Sequence, residues 1–261
     1  MSDSSYQFTH AITRQPSRSV IDGLRAVDTG TPDFEQILQD HTAYTATLRE
    51  AGAEVHELPA LDEYPDSTFV EDTALCLMQG AILMRPGAPS RQGEVAHMES
   101  TLRALYSDVR KVENGFIEGG DILITGREIL VGRSERTDAT GVTELRKLVK
   151  DWGYQVREVM TPEGVLHFKT DCSLLDADTI LSTKRLAASS CFEGYRVLYT
   201  AEGEEAAANS IRFNQFVIMP AGFPKTAAML RDEGFEVREI NNTECAKIDG
   251  GMSCLSLRLP I

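Results

Sequence analysis

Cys254 closes the run Ile248-Asp249-Gly250-Gly251-Met252-Ser253-Cys254, and it is the residue in this chain best placed to act as a nucleophile. Two glycines just before it permit close backbone approach, and a thiolate is the strongest side-chain nucleophile near neutral pH once its pKa of about 8.5 is lowered by a cation. His167, in Val165-Leu166-His167-Phe168-Lys169, is the candidate proton carrier, because an imidazole titrating near neutrality can protonate a leaving amine and then activate a water. Read as a strand, this stretch puts His167 on one face with Val165 and Lys169. Glu118, in Ile117-Glu118-Gly119-Gly120-Asp121, is a candidate to orient and charge-stabilise that histidine. Asp66, Glu71 and Asp72 sit in Pro65-Asp66-Ser67-Thr68-Phe69-Val70-Glu71-Asp72. Carboxylates gathered in a pocket repel unless a cation lies among them, so a positively charged small molecule is the expected occupant. Arg85, Arg91, Arg133 and Arg136 all follow apolar segments, and an arginine there can clamp a carboxylate bidentately. Cys76, Cys172, Cys191 and Cys245 read as buried structural thiols. His10, His41, His56 and His97 carry no assigned chemistry, and Lys184, Arg185 and the remaining basic residues read as solvated.

A repeat is what must bring these residues together. A glycine, two variable residues and a valine recur at Gly52 to Val55, Gly153 to Val156, Gly194 to Val197 and Gly234 to Val237, with a degraded copy at Ser107-Asp108-Val109. A period of roughly 40 to 55 residues implies units too small to bury their own apolar faces. Each glycine follows an amphipathic run that reads as a helix, such as Phe34, Ile37, Leu38, Tyr44 and Leu48, or Val142, Leu145, Leu148, Val149 and Trp152. Thr31-Pro32 is expected to start the first helix and Gly52 to end it in a left-handed conformation. Apolar runs at Ala81, Ile129, Thr179 and Phe216 supply further strands. The unit is strand, strand, helix, strand. A fifth copy is split between residues 253–259 and 8–13, and pairing these two segments closes a ring without free sheet edges. The expected architecture is a five-bladed α/β propeller of ββαβ units occupying residues 1–261 as one domain; a doubly wound α/β sheet is the alternative. In each unit a polar cluster falls between the valine strand and the next apolar strand. Pseudo-symmetry therefore places Glu71, Asp72, Glu118, Asp121, His167 and Cys254 at one end of the central channel.

Composition limits the partners. The net charge of −14 argues against nucleic acid or an anionic membrane. No apolar run approaches the roughly 20 residues of a membrane span, and the polar first ten residues, to which no role is assigned, do not read as a signal peptide, so the chain is expected to be cytoplasmic. Five widely spaced cysteines with no paired spacing suggest neither disulfides nor zinc.

Taken together, the motifs ending at Asp72, beginning at Glu118 and at Gly132-Arg133-Ser134-Glu135-Arg136-Thr137, surrounding His167 and ending at Cys254 resemble the dimethylarginine dimethylaminohydrolase family, over about residues 12–259. That family belongs with arginine deiminases and amidinotransferases, whose fold is the five-bladed propeller. The resemblance implies that Cys254 attacks the guanidinium carbon of an Nω-methylated arginine to give a thiouronium intermediate. It further implies that His167 serves the leaving amine and the incoming water, that Glu118 supports His167, and that citrulline is released. Asp66, Glu71 and Asp72 would hold the guanidinium and amino group and Arg91 and Arg136 the carboxylate, with backbone at Leu24 and Ile248 completing the pocket and Ser253 steering the nucleophile. No metal or organic cofactor is implied, and a homodimer is common in such families. Deiminases typically carry His-x-Asp where this chain has Lys169, which favours the methylarginine hydrolase. A relative acting on another guanidino or ureido compound, and a non-catalytic binder of cationic amino acids, are the alternatives.

Overall fold

The computed structural model describes residues 5–261. Its strands form five three-stranded sheets, each with the same wiring. The second is built from β3 (Ala74–Cys76), β4 (Ala81–Leu83), α2 (Ala96–Leu105) and β5 (Val109–Lys111), with β3 antiparallel and β5 parallel to β4. The pattern repeats in β6 (Ile122–Ile124), β7 (Ile129–Arg133), α3 (Ala139–Val149) and β8 (Val156–Met160), and in β9 (Cys172–Leu174), β10 (Thr179–Ser182), α4 (Lys184–Ala187) and β11 (Arg196–Tyr199). It recurs in β12 (Ile211–Phe213), β13 (Phe216–Pro220), α5 (Pro224–Asp232) and β14 (Glu236–Ile240). The remaining blade is split: β15 (Leu257–Leu259) pairs antiparallel with β1 (His10–Arg14), and β1 runs parallel to β2 (Glu54–Leu58) after α1 (Phe34–Glu50).

Burial closes the ring. Each helix packs on its own sheet and on the preceding one. Ile37, Tyr44 and Leu48 of α1 share a cluster with Phe213 and Phe216, and Met98 and Leu102 of α2 share one with Leu257 and Leu259. Likewise Val142 and Leu145 of α3 meet Leu75 and Ile82, Leu186 of α4 meets Leu123 and Leu130, and Leu230 of α5 meets Leu175 and Leu181. No blade buries its apolar face alone, so the stable object is the complete five-bladed ring.

Local corrections have local causes. Asp33, not Thr31, caps α1, accepting from the Glu35 and Gln36 amides at 2.9 and 3.3 Å, a contribution of about 1 kcal/mol. All four repeat glycines have positive φ, from 83° at Gly153 to 94° at Gly52. Gly194, however, does not end a helix, because α4 stops at Ala187. At the degraded copy Tyr106 ends α2 with φ −123°, so no glycine is required. The polar N-terminal segment contributes Phe8, whose ring lies 5.2 Å from that of Phe213, and His10 at the start of β1; residues 1–4 lie outside the described residues. Among the described residues no helix is long and apolar enough to cross a membrane.

Candidate active site

A short 3-10 turn precedes the first strand of every blade: Val70–Thr73, Gly119–Asp121, Phe168–Thr170, Glu205–Ala208 and Ser253–Leu255. These turns ring one end of the central channel. Residues 253–255, expected to be strand, form the last of them, and His167 caps the third rather than lying in a strand.

His167 Nε2 lies 2.6 Å from Glu118 Oε2. Glu118 is fully buried, and its other oxygen accepts from the Gly87 and Ala88 amides at 2.9 and 3.3 Å. Asp72 Oδ1 accepts from the Gly120 amide at 2.8 Å, and its other oxygen pairs with Arg91. Gly120 must be glycine: a Cβ there would stand 2.8 Å from the His167 ring and 2.9 Å from Asp72. Asp121 accepts from the Phe168 amide at 2.8 Å and from the Ser134 hydroxyl at 2.6 Å, locking the segment that carries His167. Burial alone would push His167 down, but Asp72, Glu118 and Asp121 outweigh it and hold the imidazole up at about 9. At neutral pH it is therefore an imidazolium, a proton donor.

Cys254 sits opposite in charge logic. Burial first, then Glu71 and Asp72, raise its thiol to about 11, against a partial lowering by the Gly251 amide 3.4 Å away. Gly250 and Gly251 have no room for side chains, since a Cβ would meet the Phe69 ring at 2.4 Å and Asn209 at 2.0 Å. Asn209 Oδ1 in turn accepts from the Ser253 amide at 3.0 Å, and Tyr44 of α1 donates to the Met252 carbonyl at 3.0 Å. The nucleophile segment is thus held from two sides.

Cys254 and His167 line one cleft of about 210 Å³ together with Asp66, Asp72, Arg136 and Ile248; Leu24 and Arg91 also border it. Burial raises Asp66, which accepts from the Leu24 amide at 3.0 Å and so draws the 40 % exposed Leu24 over the mouth. Asp249 reinforces that loop, accepting from the Ala26 amide at 2.6 Å.

Several assignments shift. Arg91, expected to clamp a carboxylate, spends its hydrogen bonds on Glu94, Asp72 and the Phe69 carbonyl, leaving Arg136, 3.7 Å from Glu118, as the less committed cation. Glu71 and Ser253 face not the cleft but a separate cavity of about 80 Å³ inside the channel. There Glu71 Oε1 pairs with both Lys169 and Arg258, so Arg258 is not solvated. Arg185 is half exposed yet grips Asp171. Glu94 and Arg258 carry no assigned role in the sequence, Lys169 stands out there only as the residue in place of the deiminases' aspartate, and the spacing of three between Arg91 and Glu94 is the signal for that pair. Among the described residues Arg85 bonds the Gly115 carbonyl and Arg133 pairs with Glu158, neither reaching the cleft.

The arginine deiminase family profile matches residues 59–214. The N(G),N(G)-dimethylarginine dimethylaminohydrolase of Pseudomonas aeruginosa is 38 % identical over 253 residues, covering 96 % of this chain and 99 % of that protein. This chain belongs to the dimethylarginine dimethylaminohydrolase family. The dimethylarginine dimethylaminohydrolase of Streptomyces coelicolor is 34 % identical, covering 95 % of this chain and 96 % of its own. A crystal structure of the P. aeruginosa dimethylarginine dimethylaminohydrolase, a cysteine-to-serine mutant complexed with citrulline, superposes with a TM-score of 0.94 at 37 % identity, over 97 % of this chain and all of that one.

Proposed function

We propose that this chain hydrolyses Nω-methylated arginines, asymmetric dimethylarginine and monomethylarginine, to citrulline and dimethylamine or methylamine. The observation that carries this reading is a thiol and a carboxylate-backed imidazolium sharing one acidic cleft; the citrulline complex of the P. aeruginosa relative supports it. Asp66 and Asp72 attract the cationic guanidinium, and Arg136 takes the substrate carboxylate. Arg91 contributes charge and fixes Asp72. Burial and the nearby carboxylates keep the Cys254 thiol protonated; the entering cation offsets the carboxylates, and the thiol releases its proton to solvent as the substrate binds. The thiolate then attacks the guanidinium carbon. As the tetrahedral adduct collapses, the bond to the methylated nitrogen breaks, and His167 gives that nitrogen its proton. The amine leaves and a thiouronium remains on Cys254. His167, now neutral and oriented by Glu118, takes a proton from water; the hydroxide adds to the same carbon, and collapse returns the thiol and releases citrulline. No step calls for a metal or organic cofactor.

The same reading places the enzyme in the cytoplasm, as one catalytic propeller domain acting on a small molecule rather than nucleic acid or membrane, with a homodimer as its expected assembly. The test is product analysis on the purified protein with asymmetric dimethylarginine, monomethylarginine and arginine supplied separately. Citrulline with equimolar dimethylamine from the first is the expected result. Ammonia from arginine alone would instead identify a deiminase, and binding without turnover a sensor.

A further inference from the structure

On the split blade, away from the cleft, His10 of β1 lies opposite Glu54 of β2, and His56 two residues on shares Glu54's face of the sheet. The two imidazoles stack with centroids 5.5 Å apart and planes 9° from parallel. Glu54 reaches between them, 3.7 Å from His10 Nε2 and 3.6 Å from His56 Nε2, and donor atoms of the three residues all fall within 4.8 Å of one another.

No hydrogen bond joins the three side chains of this cluster. Thr9 donates its single hydroxyl proton to the Ile261 carbonyl, so toward His10 Nδ1, 2.8 Å away, it can only accept. That bond puts a proton on Nδ1 and leaves the His10 Nε2 lone pair pointing at the Glu54 carboxylate. His56 Nε2 is shielded from solvent and has no hydrogen-bond partner. Two imidazoles and a carboxylate gathered with no hydrogen bond among them describe a cation site, and the Thr9 bond is the outer-shell contact that orients a metal-ligating histidine.

We propose that His10, Glu54 and His56 bind one divalent cation of the zinc type, with water as fourth ligand. A tetrahedral zinc with bonds of about 2.0–2.2 Å needs donors about 3.3–3.5 Å apart; the carboxylate–imidazole separations of 3.6 and 3.7 Å are near that, and the three donor atoms, within 4.8 Å of one another, close on the ion by side-chain rotation. Two imidazoles and one carboxylate suit zinc better than magnesium or calcium. The ion would tie β1 to β2 in the one blade assembled from both ends of the chain. Cys254 lies on the order of 15 Å away along β15, so the ion serves ring closure and not the chemistry.

The test uses the full chain carrying Cys254→Ser, which removes the cleft thiol as a competing ligand, stripped with chelator and titrated with Co2+ and Zn2+. The expected result is one equivalent of Co2+ with the visible absorption of a tetrahedral site, and a Tm about 5–10 °C higher at zinc concentrations a hundredfold above Kd. Adding His56→Gln should abolish both. His56→Gln alone should leave citrulline release intact, confirming a folded protein. Absence of binding would overturn the proposal. Binding that survives His56→Gln would also overturn it and point to Asp72, Glu118 and His167, whose donor atoms are similarly close.

Discussion

The ring of 3-10 turns has two sides, and adjacent residues of one turn serve them differently. Asp72 faces the cleft with Cys254 and His167, whereas Glu71 faces the channel cavity with Lys169 and Arg258. On the channel side Glu71 meets Lys169 and Arg258 within the protein. On the cleft side His167 is charged and Cys254 is not, and Asp66 and Asp72 border the space between them. Two buried histidines make the same point. His41, on α1, is pushed down to about 4 by burial, while the carboxylates around His167 reverse that effect. Burial alone produces an inert imidazole; burial beside carboxylates produces an acid.

If that division holds, cleft variants should cost activity and channel variants stability. Cys254→Ser should lower kcat by 10,000-fold or more, on the order seen for nucleophile removal elsewhere, while a calorimetric titration still registers substrate binding. His167→Asn should cost roughly a thousandfold in kcat, within the range of general acid–base catalysis. Glu118→Gln keeps the shape but removes a charge, so kcat should fall by about 10- to 100-fold, and the His167 midpoint, followed by NMR, should move down from about 9. Glu71→Gln leaves Lys169 and Arg258 without their carboxylate and should destabilise the fold by roughly 3 kcal/mol in denaturant titrations, while changing kcat least. A Glu71 variant that is inactive but fully stable would break the comparison.

The pH dependence of stability sharpens it further. The His167 midpoint is raised on folding, so its stabilisation is complete below the unfolded value of about 6.5 and is lost as pH climbs through about 9. Asp72 is held down at about 2 despite its burial, by His167, Arg91 and the Gly120 amide, so its contribution is present above about 4 and vanishes as pH falls toward 2. Thermal melts of Glu118→Gln should lose part of the decline between pH 6.5 and 9.

The propeller was legible because symmetry writes the same local demand several times: a left-handed glycine before a valine strand at Gly52, Gly153, Gly194 and Gly234. The convergence of Asp72, Glu118, His167 and Cys254 on one rim followed from equivalent positions in the repeat. What sequence did not disclose was pairing. Glu71 and Arg258 meet between neighbouring blades with no periodicity to announce it, and Arg91 reads as a free clamp until Glu94 is seen beside it. The helix start at Asp33 in place of Thr31 shows a second limit, since both side chains can cap and only packing of α1 decides.

The most direct measurement is the ionisation of Cys254 in the free protein, followed by thiolate absorbance as the difference between the native chain and Cys254→Ser across pH 6 to 12. A midpoint near 11, falling when a cationic arginine analogue occupies the cleft, is the predicted result. A midpoint at or below the ordinary thiol value of about 8.5, unmoved by the analogue, would contradict the claim that the free protein holds this thiol protonated until a cation enters.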